Sequence, residues 1–173
     1  KKSRAVRKIE APLLLGLAHS GEFTFAVGNL ITKSSATGAA GLDYEAPDRL
    51  LRLRRKKLSG YKQYNLSEPA DRTEAAHSLA CQRMDLLHGT GIKELNVDLQ
   101  TRSDPIGRRG AFPLVIRTRP PDGASRALSA TAWEELALGL HNLPALVERS
   151  GADRIVVNGG GHLSVAFALG AAL

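Results

Sequence analysis

The chain has 173 residues, with 24 lysines and arginines against 17 aspartates and glutamates, so its net charge is +7. Hydrophobic residues make up 43% of it and aromatic residues 5%, which excludes the disordered and collagen-like classes. A single cysteine, Cys81, excludes a disulfide framework and a cysteine-rich zinc site. The longest apolar runs are too short to cross a bilayer, and no signal peptide is visible. We therefore expect a soluble, cytoplasmic, single-domain protein.

The first apolar runs predict strands. Residues 12–18 and 22–28 flank Ser20 and Gly21, and this arrangement predicts two strands joined by a tight turn. Residues 32–48 are rich in Ser, Thr, Gly and Ala and predict a mobile loop.

The positive charge is concentrated in two clusters. Residues 1–8 hold five basic side chains and residues 49–57 hold six, including Arg54 and Lys56. This density favours a phosphate-bearing partner, because like charges repel one another until a counter-charge neutralises them. Binding of long nucleic acid through both clusters is one hypothesis, although the few aromatic side chains offer no stacking platform. A solvated basic loop or arm is the plainer alternative.

Helices alternate with strands from residue 71 onward. Asp71 with Glu74, and Thr131 with Glu134, have the spacing of capping boxes, and Pro144 should kink the helix that contains it. Alternation of this kind is typical of α/β proteins with parallel sheets. Apolar spacing and terminal glycines predict helices at 71–88, 131–149 and 162–173, and strands at 94–99, 112–118 and 154–158.

The helix–strand pattern repeats at an offset of 60 residues, which places Gly91 on Gly151 and Asp98 on Asn158. Caps, apolar helical positions, terminal glycines and strands all coincide at this offset. The repeat predicts an α/β fold of two Rossmann-like halves with mostly parallel sheets. The first half would cover about 11–104 and the second about 111–173.

A glycine loop follows the last predicted strand. Ligands of open α/β sheets lie at the carboxyl ends of strands, where glycines allow close backbone approach and free helix amides favour phosphate. The candidate ligand-binding residues of this loop are Asn158, Gly159, Gly160, Gly161, His162 and Ser164. The alternative is a turn whose glycines serve only strand–helix packing.

The same offset predicts a second group of ligand-binding residues at the equivalent edge. Two such edges side by side would form one composite pocket, rich in arginine and suited to a ligand with more than one phosphate. The residues of this group are Thr101, Arg102, Ser103, Arg108 and Arg109, and Arg54 and Lys56 of the basic cluster complete the candidate set.

The segment from Ala130 to Leu173 resembles the end of a SAVED domain. The resemblance rests on a strand, a small-residue loop and an alanine-rich helix with an Ala-x-x-x-Gly element, represented here by Ala166 and Gly170. Residues 92–99 resemble the corresponding strand of the first half. The likeness covers roughly residues 70–173.

The resemblance implies two fused CARF-like halves that form a pseudo-dimer and sense a cyclic oligonucleotide in bacterial antiphage defence. The ligand would be a cyclic di- or trinucleotide, and no cofactor is implied. Binding would drive self-association and activate a fused or associated effector, such as a nuclease, protease, TIR or membrane module. The chain departs from this pattern because it contains no effector motif and no glycine-rich loop after Leu99.

Catalysis has little support in the sequence. The histidines are scattered without metal-ligand spacing, and Cys81 within a helical stripe predicts a buried, inert thiol. Cleavage of the ligand ring by His162 and Ser164 is a minor alternative, as is a Rossmann-type enzyme acting on a nucleotide or sugar phosphate. The sequence favours a binding protein.

Overall fold

Over the residues that the structure describes, the protein is mixed α/β, with five α-helices and parallel sheets. The computed structural model describes residues 5–21, 23–33, 41–53, 57–102, 113–118 and 128–173. The chain divides into two compact units, Lys1–Gln82 (unit 1) and Arg83–Leu173 (unit 2). This division lies well before the boundary between halves that the sequence predicts at 104–111.

Unit 1 contains a two-stranded parallel sheet and a small apolar core. Leu15, Val27 and Leu58 are buried together in that core. In chain order the elements are a π-helical turn Val6–Glu10, α1 Ala11–Ser20, β1 Val27–Asn29, α2 Ala46–Leu51, a 3₁₀ turn Leu58–Gly60, β2 Gln63–Asn65 and the start of α3 Pro69–Gly89.

The predicted first strand is wrong, because residues 12–18 lie in α1. The run contains none of the β-branched residues that favour strands, and Pro12 lies in the first turn, where a helix tolerates proline. Gly21, predicted as part of a tight turn, ends the helix with a left-handed φ of 74°. The predicted second strand is shorter than expected, since β1 covers only Val27–Asn29.

The segment 32–48, predicted as a mobile loop, contains a β-bridge and the start of a helix. Its residues 34–40 lie outside the described residues. Thr32 forms an antiparallel bridge with Leu42. Helix α2 begins at Ala46 with Pro47 in its first turn. Serine and glycine content indicated the loop but could not reveal the side-chain hydrogen bonds that order its ends, such as Asn29 Nδ2 donating to the Asp43 carbonyl at 3.0 Å.

Unit 2 contains a three-stranded parallel sheet with the order β4-β3-β5. Leu99 of β3 packs with buried side chains of both following helices, so these helices cover the same face of the sheet. After the end of α3 the elements are β3 Glu94–Gln100, β4 Leu114–Arg117, α4 Ala130–Ser150, β5 Arg154–Gly160 and α5 Leu163–Ala172. The helices and strands predicted after residue 71 are thus confirmed with small shifts of their ends.

The predicted repeat offset is the pairing register of β3 and β5. Glu94 lies opposite Arg154 and Asp98 opposite Asn158, an offset of 60 residues that holds along the whole ladder. Strands from both predicted halves therefore lie side by side in one sheet.

Neither predicted capping box forms. Helix α3 begins at Pro69, and Asp71 in its first turn accepts a hydrogen bond from the Asn65 amide at 2.7 Å. Ser129, not Thr131, caps α4, and its hydroxyl accepts from the Ala132 amide at 3.1 Å. A serine two positions earlier satisfies the helix amides equally well, so the capping-box spacing alone was misleading. Helix α4 continues through Pro144 to Ser150.

Candidate ligand-binding site

The carboxyl ends of the three parallel strands of unit 2 lie along one edge of the sheet. The ladder continues past the strand ends, because the Thr101 amide donates to the Gly160 carbonyl at 3.1 Å. On the other side, the Thr118 amide is 3.4 Å from the Gln100 carbonyl. Backbone hydrogen bonds thus fix the positions of the residues that follow β3, β4 and β5.

Thr101 and His162 meet at this edge. The buried Thr101 hydroxyl accepts from the His162 amide at 2.8 Å, and its oxygen is 3.1 Å from His162 Nδ1. A hydroxyl has one proton and two lone pairs, so Thr101 can satisfy both groups whichever ring nitrogen carries the proton. His162 also caps α5, with its carbonyl accepting from the Val165 and Ala166 amides at 3.0 Å. This contact joins the end of β3 to the start of α5.

The three glycines of the loop have different environments. Gly159 has a φ of 101°, and a Cβ there would lie 2.5 Å from both Asp98 Oδ1 and the Leu99 carbonyl oxygen. A Cβ at Gly161 would lie 2.5 Å from Leu99 Cδ2, whereas one at Gly160 would meet nothing within 4 Å. A side chain at residue 159 or 161 would thus clash with β3, which explains why both positions are glycine. At these two positions the structure supports the alternative in which the glycines serve strand packing. Gly160 is exposed.

A row of polar side chains runs along β3 on the face of the sheet opposite α4 and α5. Glu94, Asn96, Asp98 and Gln100 are alternate residues of β3 and so share a face, while Leu99 points to the helices. Asp98, only 5% exposed, accepts a hydrogen bond from Nε2 of the Gln100 side chain. Gln100 Oε1 in turn accepts from Arg117 Nη2 at 2.9 Å. The row leads from the strand face to the carboxyl edge.

At the amino end of this row, Arg154 forms an ion pair with Glu94. The hydrogen bond from Arg154, and next that from Asn96, hold the pKa of Glu94 below its ordinary value. Asn158 lies on the same face, and its Nδ2 is 3.4 Å from Asn96 Oδ1. Asn158 is therefore part of the strand face and lies two residues before the end of β5.

The structure brings most of the described candidate residues together at the carboxyl edge. Arg102 follows the buried Thr101 and is exposed, and Ser164 is exposed in the first turn of α5. The candidates Ser103, Arg108, Arg109, Arg54 and Lys56 lie outside the described residues.

The ligand-binding residues derived from the sequence do not include Asp98, Gln100 or Arg117, although the offset of 60 residues places Gln100 beside Thr101 at the predicted edge. Asp98 and Gln100 were signalled by the alternation of polar and apolar residues along β3. Arg117 carried no such signal, because its contact with Gln100 depends on β4 pairing with β3.

The second basic cluster is partly neutralised within unit 1. Arg49 pairs with Asp43, and the hydrogen bond from Arg49 is the main cause that lowers the pKa of Asp43. The buried Asp48 carboxylate accepts from the Leu58 and Ser59 amides at 2.6 and 3.2 Å. A depression of about 410 Å³ here is also lined by Glu45, Leu53, Arg52 and Lys57.

No group of three or more metal-ligating side chains occurs among the described residues. Cys81 is half-buried, with its Sγ 3.5 Å from His77 Nε2 one helical turn away.

None of the helices in the described part of the chain combines the length and the hydrophobicity that a membrane span requires. A scan of protein-family models and a search of curated proteins give no match to this chain.

Proposed function

We propose that this chain is a SAVED-like sensor domain that binds a cyclic di- or trinucleotide. Ligand-driven assembly would then activate a fused or associated effector in antiphage defence. The observation that carries the proposal is the contact of Thr101 with His162 at one sheet edge, because these residues follow strands that pair at the repeat offset of 60. Two CARF-like halves forming a pseudo-dimer belong to the same proposal, and the constant offset of 60 residues between β3 and β5 supports the repeat on which it rests.

The chemistry of the edge suits a ligand with several phosphates. Arg102 is exposed there and Arg117 is held nearby by Gln100, so two guanidinium groups can bind phosphate oxygens. Val165 is the first residue of α5 whose backbone N–H donates to the His162 carbonyl. The backbone N–H groups of Leu163 and Ser164 are therefore directed to the amino terminus of the helix, where they can donate to a phosphate. The Ser164 hydroxyl adds a donor and acceptor for a ribose or base.

The direct test is a thermal-shift titration with a panel of cyclic di-, tri- and tetranucleotides. A ligand at a hundred times its Kd stabilises the folded protein by about 2.7 kcal/mol, so Tm should rise with ligand concentration. The proposal is overturned if no member of the panel changes Tm.

A matched pair of charge deletions locates the site. Arg102→Ala should weaken binding of the active cyclic nucleotide about ten- to a hundredfold, the loss expected for one hydrogen bond to a charged group. Lys93→Ala removes the same charge at the amino end of β3, where the ammonium lies 3.5 Å from Asp153. An exposed ion pair of this kind contributes little to stability, so Lys93→Ala should bind like the wild type. Equal effects of both variants would place the ligand elsewhere.

The nucleic-acid alternative rests on the depression lined by Arg52 and Lys57, neither of which has an ion pair among the described residues. It predicts mobility shifts with long RNA or DNA. The logarithm of the affinity would then fall by about 0.7–0.9 per phosphate contact for each tenfold rise in salt. Arg52→Ala with Lys57→Ala should reduce this slope, while the cyclic-nucleotide titration should be unchanged.

A further inference from the structure

Helix α3 carries a histidine and the single cysteine of the chain on one face. His77 and Cys81 are four residues apart, a spacing that places two side chains next to each other on a helix. Two histidines at this spacing hold zinc on a helix in metalloproteases. No two histidines of this chain have that spacing, because the residue that matches His77 is a cysteine. The pair therefore combines two metal-ligating side chains of different types.

The separation of the two ligand atoms matches that of two ligands of one metal ion. Nε2 of His77 lies 3.5 Å from Sγ of Cys81. Zinc binds histidine nitrogen at about 2.0–2.1 Å and cysteine sulfur at about 2.3 Å. An ion at these distances from both atoms would have a nitrogen–metal–sulfur angle of about 105–109°, close to the tetrahedral value. The two side chains thus hold their ligand atoms at chelating distance.

The ligand atoms determine which class of ion the pair can bind. Imidazole nitrogen and thiolate sulfur favour zinc, cobalt, nickel and copper, whereas magnesium and calcium prefer oxygen. Binding requires the imidazole proton on Nδ1, so that Nε2 donates its electron pair to the metal. The thiol proton passes to solvent, and the resulting thiolate is the second ligand.

Solvent can reach the pair, because His77 and Cys81 are each only half-buried. Among the described residues no third metal-ligating side chain completes a group of three. A four-coordinate ion would therefore keep two positions for water or another exchangeable ligand. Such a site is open, unlike a structural zinc site that is closed by four protein ligands.

We propose that His77 and Cys81 form a two-ligand site for a divalent ion of the zinc class. The remaining coordination positions are open to exchangeable ligands. Both residues lie within unit 1, and the existence of the site does not depend on the cyclic-nucleotide proposal.

A cobalt(II) titration of the reduced, untagged chain tests the site, because thiolate coordination to cobalt produces charge-transfer absorption in the near ultraviolet. The absorption should saturate at one ion per chain. Zinc should displace the cobalt, whereas a large excess of magnesium should not. Cys81→Ser should abolish the absorption. His77→Ala should weaken cobalt binding at least about tenfold, since loss of even an outer-shell partner of a ligand costs about 10–100-fold.

Two further variants separate chelation from binding by the thiol alone. His141→Ala removes an exposed histidine of α4 whose neighbours one turn away, Ala137 and Ala145, have no ligand atoms, so this variant should bind cobalt like the wild type. Cys81→His creates the two-histidine spacing, so it should still bind cobalt but without charge-transfer absorption. Melting curves without metal establish that each variant is folded.

Three results would overturn the proposal. The first is that cobalt gives the wild type no saturable charge-transfer absorption. The second is that His77→Ala binds cobalt as tightly as the wild type, which would mean that the thiol acts alone. The third is that His141→Ala weakens cobalt binding as much as His77→Ala.

Discussion

Alanine substitutions at the three loop glycines should have clearly unequal effects on stability. At Gly159 an alanine would adopt a φ of 101°, a conformation that costs a non-glycine residue about 1–3 kcal/mol. Its Cβ would also lie 2.5 Å from the Leu99 carbonyl oxygen, a backbone atom held in the ladder between β3 and β5. Overpacking of this kind adds about 1–3 kcal/mol. We therefore expect Gly159→Ala to lower the free energy of unfolding by about 3 kcal/mol or more.

The other two glycines serve as matched controls. At Gly161 the close atom is Leu99 Cδ2, the end of a side chain that can rotate, so Gly161→Ala should cost less, about 1–2 kcal/mol. At Gly160 the Cβ meets nothing within 4 Å, and Gly160→Ala should change stability by no more than about 0.5 kcal/mol.

Urea unfolding followed by fluorescence provides the measurement, because Trp133, the single tryptophan, packs against the core of unit 2. For a unit of this size, a loss of about 3 kcal/mol lowers Tm by at least about 10 °C. The reasoning is refuted if Gly159→Ala is as stable as Gly160→Ala, or if Gly160→Ala is the most damaging of the three.

Three further predictions concern contacts of unit 2. Ser129→Ala should cost about 1 kcal/mol in urea unfolding through loss of the α4 cap, and Thr131→Ala should cost clearly less; the reverse order would restore the capping box predicted from sequence. Thr101→Val should cost about 1–3 kcal/mol because the amide at the start of α5 loses its acceptor, and Thr101→Ser should recover most of this loss. The pKa of Asp85 is lowered mainly by its hydrogen bond with Arg149, so the pair stabilises the fold above the ordinary carboxyl pKa of about 4 and this contribution is lost as pH falls further. Asp85→Asn should remove up to about 1 kcal/mol at pH 7 and nothing at pH 2, and a pH-independent effect would contradict this assignment.

The misassigned α1 shows where local pattern fails. An apolar run of seven residues fits a buried strand and an amphipathic helix equally well, and the exposed side chains of Leu13 and Leu17 show that tertiary packing did not use the run as a core strand. Leucine and alanine favour the helix, and Gly21 ends it with a positive φ. The propensity of the residues, rather than their hydrophobicity, was the more informative signal.

The repeat shows where pattern succeeds. An offset of 60 residues between two helix–strand segments was readable from Gly91 and Gly151 and from the strands themselves, and it is the register in which β3 and β5 pair. Neighbouring parallel strands of similar length that follow helices of similar length reach the sheet at corresponding residues. Sequence periodicity therefore carried three-dimensional information in this part of the chain.

The α/β class, the elements after residue 71, the pairing offset and the position of the glycine loop could all be predicted from the sequence, because they depend on local periodicity and on glycine's access to positive φ. The contacts of the loop residues could not, because they depend on the tertiary structure. Thr101 and His162 are far apart along the chain, and their hydrogen bond exists because two strands end side by side. The same pairing directs Gly159 and Gly161 toward β3 and brings Arg117 to Gln100. Contacts between distant residues follow from strand order, which periodicity does not encode.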